Sequence, residues 1–456
     1  MVRSIVGLFI SIAFSFLFIS AVAAESTLSV FPPMILFAVA VLFTWRMGVT
    51  GLIKNPDVLI NALSLKVVFS ALIYFIFWYR PLKSIGILTI SSQSDNLGFQ
   101  DSMFYQYHAN IISKIDIEYW LDASRVTWQS EGVVIYLASL FKLFGNELYN
   151  VVFINILLGY LAVVQLFQLG LSVKDKHFYL IVLWPHTLYY DIPPGKEVLT
   201  NFLVYSIICC GYRIFIKTGR VYFGDLIKLF FLFNLLVFVR VNVGVLLAIA
   251  IIISVWFSSR RTVILGALFA LMGFVIYYRF TDNISLSVEA SLDGAGNFDE
   301  RLELEDNSLK VAIVNALHTN STAINLFLSP VSFIIWILAP LPFIGLDVIY
   351  NSVVLGISYA QFTLGPHLGR LFASIWIFSN IFKFGIWTFF KNSWKTNFNH
   401  RYIIILTIFL SLTIAYSTLV QGARYRVLVE PLIVLLMVAA SCDKVSDADS
   451  SSFPLR

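Results

Sequence analysis

Runs of about twenty consecutive apolar residues, recurring from one end of the chain to the other, constrain this sequence more than any other feature. A hydrocarbon slab about 30 Å thick is crossed by roughly 20 helical residues. Within it every backbone N–H and C=O needs an internal partner, which a helix supplies. Such runs lie near 4–24, 33–49, 62–79, 149–171, 178–192, 197–215, 222–239, 241–257, 262–279, 327–344, 348–366, 370–390, 402–420 and 427–441. They predict an all-α polytopic membrane protein with about fourteen transmembrane helices. Pro330, Pro340, Pro342 and Pro366 punctuate the runs 327–344 and 348–366, which are two crossings or include a re-entrant segment. With 59% of 456 residues hydrophobic and 12% charged, the chain exceeds the roughly 45–50% apolar usage of soluble domains. Lipid must solvate the excess, which excludes a soluble enzyme and a nucleic-acid binder. Cys209, Cys210 and Cys442 fall inside or at the end of apolar runs and form no disulfide framework.

The basic residues choose an orientation. With the N-terminus inside, the inner turns receive Arg46, Lys54, Lys66, Lys174, Lys176, Arg213, Lys217, Arg220, Lys228, Arg260, Arg261, Lys391, Lys395 and Arg401. Short loops rich in Lys and Arg stay cytoplasmic, so two long, acid-bearing loops, about 80–148 and 280–326, face outward. Both termini are then cytoplasmic, in a cell (inner) membrane. The first run follows Arg3 and ends Ala21-Val22-Ala23, as a cleaved signal peptide does, but at about twenty residues it exceeds the 7–15 of a signal-peptide core, so it is an anchor or a cleaved segment, with length favouring the anchor. Residues 1–445 form a single transmembrane domain, and the polar tail 446–456 is expected to be disordered in the cytoplasm.

In the first outer loop, Asp95 and Asp101 stand just beyond a membrane span. Asp101 reads as the N-cap of a helix on which Tyr105, His108 and Ala109 share one face. Farther on, Glu131 to Gly145 is apolar but only about fourteen residues long, so it is expected to lie in the outer interface with Lys142 reaching the headgroups, a short transmembrane helix being the alternative. In the second loop, Asp282, Glu289, Asp293, Asp299, Glu300, Glu303, Glu305 and Asp306 read as a solvated face.

The run Asp101-Ser102-Met103-Phe104-Tyr105-Gln106-Tyr107-His108-Ala109 resembles the D-E-x-x-Y-x-x-x-A segment of the GT-C membrane glycosyltransferases, with Ser102 in place of the second acid. This family includes the protein O-mannosyltransferases and the lipid A aminoarabinose transferases. Leu140-Phe-Lys-Leu-Phe-Gly145, then Leu183-Trp-Pro185 leading to Lys196-Glu197, and finally Gly422-Ala-Arg424-Tyr425-Arg426 are similar to later family segments in the same order. Leu428 stands where the last pattern has its first proline. The likeness covers most of 85–215 and 420–440. It implies a GT-C-like helical bundle with interfacial helices in the outer loops. It also implies sugar transfer, with inversion, from a polyprenyl-phosphate donor to a glycan, lipid or protein acceptor on the outer face. Asp101 is then the general base. Asp95, Tyr105, His108, Lys196, Arg240, Arg424, Tyr425 and Arg426 are candidate substrate-binding residues, the arginines facing phosphate oxygens. Asp101 and Glu197 are candidate ligands for a divalent cation, Mg²⁺ or Mn²⁺.

Two other classes fit the span count. An O-antigen-type (Wzy-like) polymerase or ligase also uses lipid-linked sugars, but works through late outer loops. A lipid-linked-sugar flippase or transporter predicts polar residues distributed through the spans and two related halves. The sequence shows no internal repeat, and its polar residues gather towards one face.

Overall fold

The computed structural model describes residues 2–23, 29–49, 56–79, 100–124, 131–145, 148–169, 171, 174–192, 195–217, 222–258, 357–381, 398–417 and 426–451. All regular structure among them is helical. The first three helices are α1 (Val2–Ala23), α2 (Phe31–Val49) and α3 (Pro56–Ile73), the last continuing through a π-turn at Tyr74–Tyr79. Then come α4 (Gln100–Ile112), a 3-10 turn at Ile117–Tyr119, α5 (Trp120–Ser124), α6 (Glu131–Phe144) and α7 (Leu148–Leu166). The middle of the chain forms α8 (Asp175–Val182), α9 (Pro185–Tyr190), α10 (Lys196–Tyr212), α11 (Phe223–Val239) and α12 (Val241–Ser258). Last are α13 (Ile357–Ile381), α14 (Phe398–Ser417) and α15 (Arg426–Ser451). Among the described residues, four segments are long and apolar enough to cross a membrane: Val2–Ala21, Pro56–Phe77, Asn150–Leu169 and Lys196–Ile216.

Side-chain bonds fix how the helices run. The Asp57 carboxylate accepts from Ser4, so α1 and α3 start at the same end. Leu8, Ile12, Ser15 and Ile19 are the buried stripe of α1, whose main neighbour is α3. At the far end, the Ser29 N–H donates to Asn150 Oδ1 (3.0 Å), whereas Tyr160 donates to the Leu59 carbonyl (3.0 Å), which sets α7 antiparallel to α3. Helix α10 lies parallel to α7, with Cys209 Sγ 3.0 Å from the Gln165 carbonyl. The side chains turned away from these contacts include Phe9, Phe14, Leu17, Leu42, Trp45, Phe69, Phe231, Trp256 and Phe378, all exposed. A girdle of this kind is stable against lipid and costly against water.

Helices α4, α5 and α6 form a layer over one end of the bundle, called here the loop end. Lys142 donates to the Ile115 carbonyl (3.2 Å) and lies 5.5 Å from the Trp120 ring centroid, which draws the layer together. Gly145, at φ 91°, ends α6 in the left-handed region that L side chains avoid, and Asn150 Nδ2 donates to the Phe144 carbonyl (2.7 Å) across the corner.

The structure departs from the sequence reading at four places. Lys66, assigned above to an inner turn, is fully buried near the middle of α3. The run 178–192 is two short helices, because Pro185 has no N–H to continue α8 and instead opens α9. The expected break between 348–366 and 370–390 is a continuous helix, α13, running through Pro366. The tail expected to be disordered from 446 is helical to Ser451, as the last turns of α15. The runs 262–279 and 327–344 and the second outer loop, 280–326, lie outside the described residues.

Candidate functional site

At the loop end, the layer of α4, α5 and α6 is tied to the bundle through two predicted site residues. Tyr105 is buried on α4, and its hydroxyl accepts from Lys196 Nζ (2.9 Å). The same ammonium stands 5.4 Å from the Tyr105 ring centroid, within cation–π range. Lys196 opens α10, so its neighbour Glu197 sits at the positive end of that helix. Glu197 is buried, and its Oε1 has no hydrogen-bond partner among the described residues. Asp101 lies in the first turn of α4, one turn before Tyr105; the helix begins at Gln100, so Asp101 is inside it and is not its N-cap. His108, on the same helix, is partly exposed and packs edge-on to Tyr107, and burial lowers its pKa below the ordinary histidine value.

Arg240 belongs to the same end. It is the single residue between α11 and α12, extended at φ −161°, and its side chain is buried. Helix α6, which packs on α4, comes against this corner so closely that a β-carbon on Gly132 would stand 2.8 Å from the Phe238 carbonyl oxygen. Tyr105, Lys196, Glu197 and Arg240 are therefore gathered at one end of the fold. Asp95, Arg424 and Tyr425 lie outside the described residues; Arg426 opens α15.

A second group of polar side chains lies inside the bundle on the short helix α9, and sequence reasoning missed its partners. Asp191, just beyond α9, pairs with Lys66 Nζ on α3 at 2.5 Å, both fully buried. One turn earlier, His186 Nδ1 stands 2.9 Å from Glu430 Oε2 on α15, and the same oxygen accepts from Trp184 Nε1 (2.7 Å). Tyr205 on α10 donates to the Leu428 carbonyl (3.0 Å) and lies within electrostatic reach of both Asp191 and Glu430. Trp184 is edge-on to Trp376 and Phe372 of α13. A β-carbon on Gly369 would sit 3.0 Å from His186 Cα, so α13 holds α9 backbone to backbone. Ionisable groups thus lie buried inside the bundle, contrary to the sequence reading that gathered the polar residues at one face. The only signal for Asp191 and Glu430 was their acidity amid apolar runs, and no local pattern points to partners that distant.

Glu197 offers one hard oxygen of the kind Mg²⁺ or Mn²⁺ requires. Among the described residues no three metal-ligating side chains converge, so Glu197 would need Asp101 and further oxygens to hold such an ion. No protein-family model, curated protein or solved structure matches the chain.

Proposed function

We propose that this protein is an integral-membrane glycosyltransferase working at the loop end, taken as the outer, periplasmic or extracytoplasmic face. It moves a sugar from a polyprenyl-phosphate donor to an envelope glycan, lipid or protein acceptor. The observation that carries the reading is the Tyr105–Lys196 contact, which joins the acidic outer-loop helix to a buried carboxylate and a cation at the start of α10. In this reading the acceptor oxygen attacks the anomeric carbon and gives its proton to Asp101. The bond from that carbon to the donor phosphate breaks, and the phosphate leaves with the electron pair. Arg424, Arg426, Lys196 and Arg240 offset its charge. Attack opposite the leaving group inverts the anomeric configuration. The chain's task is to orient donor and acceptor and to hold the proton at Asp101.

The test incubates the full chain in lipid nanodiscs with labelled polyprenyl-phosphate sugars and candidate acceptors. Transfer with inversion is expected, and Asp101→Asn lowers it by about 10²-fold or more. A folded protein that transfers from no donor refutes the reading. Activity that survives Asp101→Ala favours the Wzy-like polymerase instead.

The interior pairs Lys66–Asp191 and His186–Glu430 favour a second reading, a lipid-linked-sugar flippase, because ionisable groups on a broken helix at mid-depth are a mark of transporters. Movement of a fluorescent polyprenyl-phosphate sugar across vesicles without any chemistry distinguishes it.

A further inference from the structure

The Lys66–Asp191 pair sits among more hydrogen-bonding capacity than it uses. The Lys66 ammonium carries three N–H groups, and among the described residues Asp191 Oδ2 is its one partner. Asp191 Oδ1 has none, although the residue is fully buried. One turn along α3 from Lys66, Ser70 Oγ is buried and unpartnered, having given up the bond to its own helix that Ser64 makes with the Ile60 carbonyl. One turn back along α9 from Asp191, Thr187 Oγ1 is likewise buried and unpartnered. Helix α9 packs on α3, so the spare atoms belong to neighbouring turns of two touching helices. Ser15, on the face of α1 that meets α3, adds a fifth spare polar atom.

Such groups in a low-dielectric interior are satisfied by ordered water when two to four polar partners surround it. The set here mixes donors with acceptors and carries no net charge. That suits water rather than a metal ion or a phosphate.

We infer that Lys66, Asp191, Ser70 and Thr187 form an occluded hydration site whose water carries one exchangeable proton to Asp191. With the ion pair intact the site is charge-balanced. Proton uptake converts the Asp191 carboxylate to the acid and leaves Lys66 as a net positive charge, which the Ser70 and Thr187 oxygens solvate through the water. The ionisable groups around Asp191 are Lys66 from α3, Tyr205 from α10, Glu430 from α15, and His186, Tyr189 and Tyr190 on α9 itself. From α7 it meets Gly159, whose lack of a side chain leaves the carboxylate its space. The inference stands apart from the glycosyltransferase reading and needs no sugar substrate to test.

Infrared difference spectra of the full chain in nanodiscs, taken between acidic and alkaline buffer, read both parts. The expected result is a protonated-carboxyl band that shifts in D₂O and vanishes in Asp191→Asn, with a weakly bonded water band that shifts in ¹⁸O-labelled water. The Lys66→Met/Asp191→Leu double variant, which removes both charges and so keeps the bundle intact, loses both bands. Ser70→Ala or Thr187→Val shifts the water band and keeps the carboxyl band. No titrating band assignable to Asp191, or both bands persisting in the double variant, overturns the inference.

Discussion

Replacing Lys66 by methionine tests the interior of this fold most directly. The substituted side chain is unbranched and one heavy atom shorter, and it lacks the charge and the N–H donors, so packing changes little while Asp191 loses its counter-ion. At 2.5 Å and an effective dielectric near 20, the gross attraction is about 7 kcal/mol, most of it offset by the desolvation of two fully buried ions. Removing one partner leaves the other desolvated and alone, which costs about 3–5 kcal/mol. Asp191→Leu should cost a similar amount. The double variant, with neither charge, should recover to wild-type stability or exceed it by about 1–4 kcal/mol. Unfolding of the four proteins in one detergent, followed by circular dichroism against denaturant, completes the cycle. The decisive quantity is the coupling: several kcal/mol for a pair shut off from bulk solvent, against about 0.2–1 for a surface-exposed one. Single losses that simply add would mean that Lys66 and Asp191 are solvated independently, and the packing of α9 against α3 would need a different explanation.

Gly159→Ala places a β-carbon inside the van der Waals envelope of the Asp191 carboxylate, so it should destabilise by about 1–3 kcal/mol in the same unfolding assay. Combined with Asp191→Ala it should cost far less. Tyr105→Phe removes the hydroxyl that Lys196 bonds, with an expected loss of about 1–3 kcal/mol for a charge-assisted bond and faster proteolysis of the loop around α4. Burial holds the His108 pKa below 6.5, so between that value and its folded pKa the unfolded chain binds a proton that the folded chain does not. Stability from this residue is complete above about pH 6.5, falls as pH drops through that window, and His108→Gln removes the slope of unfolding midpoint against pH.

The sequence is informative where a helix is made by its own residues. The apolar runs at 4–24, 33–49, 197–215, 222–239 and 241–257 correspond to α1, α2, α10, α11 and α12 to within a few residues, since lipid contact and backbone bonding are local requirements. The short helix α6 was legible for the same reason, and so was its end at Gly145. Lys66 was misread because charge counting treats every lysine as a turn residue, and the carboxylate that makes its burial tolerable lies 125 residues away. The continuity of α13 through Pro366 escaped notice because proline breaks are judged by local propensity, whereas α13 is held by α9 packing at Gly369. At the candidate site, Tyr105 and Lys196 were both singled out; that they touch is a tertiary fact with no trace in either segment.

The bond from His186 to Glu430 joins residues 244 positions apart, and that separation bears on how the chain is made. At about 5–20 residues per second, a ribosome needs about 12–50 seconds after completing α9 to deliver its partner. Throughout that interval the Trp184 indole and the His186 imidazole must be shielded by water, by an insertion chaperone, or by waiting outside the hydrocarbon. The seat of α9 therefore stays incomplete until α15 docks. Truncation before Glu430 should leave a membrane-inserted but half-finished bundle, recognisable to quality-control proteases by the same unsated groups.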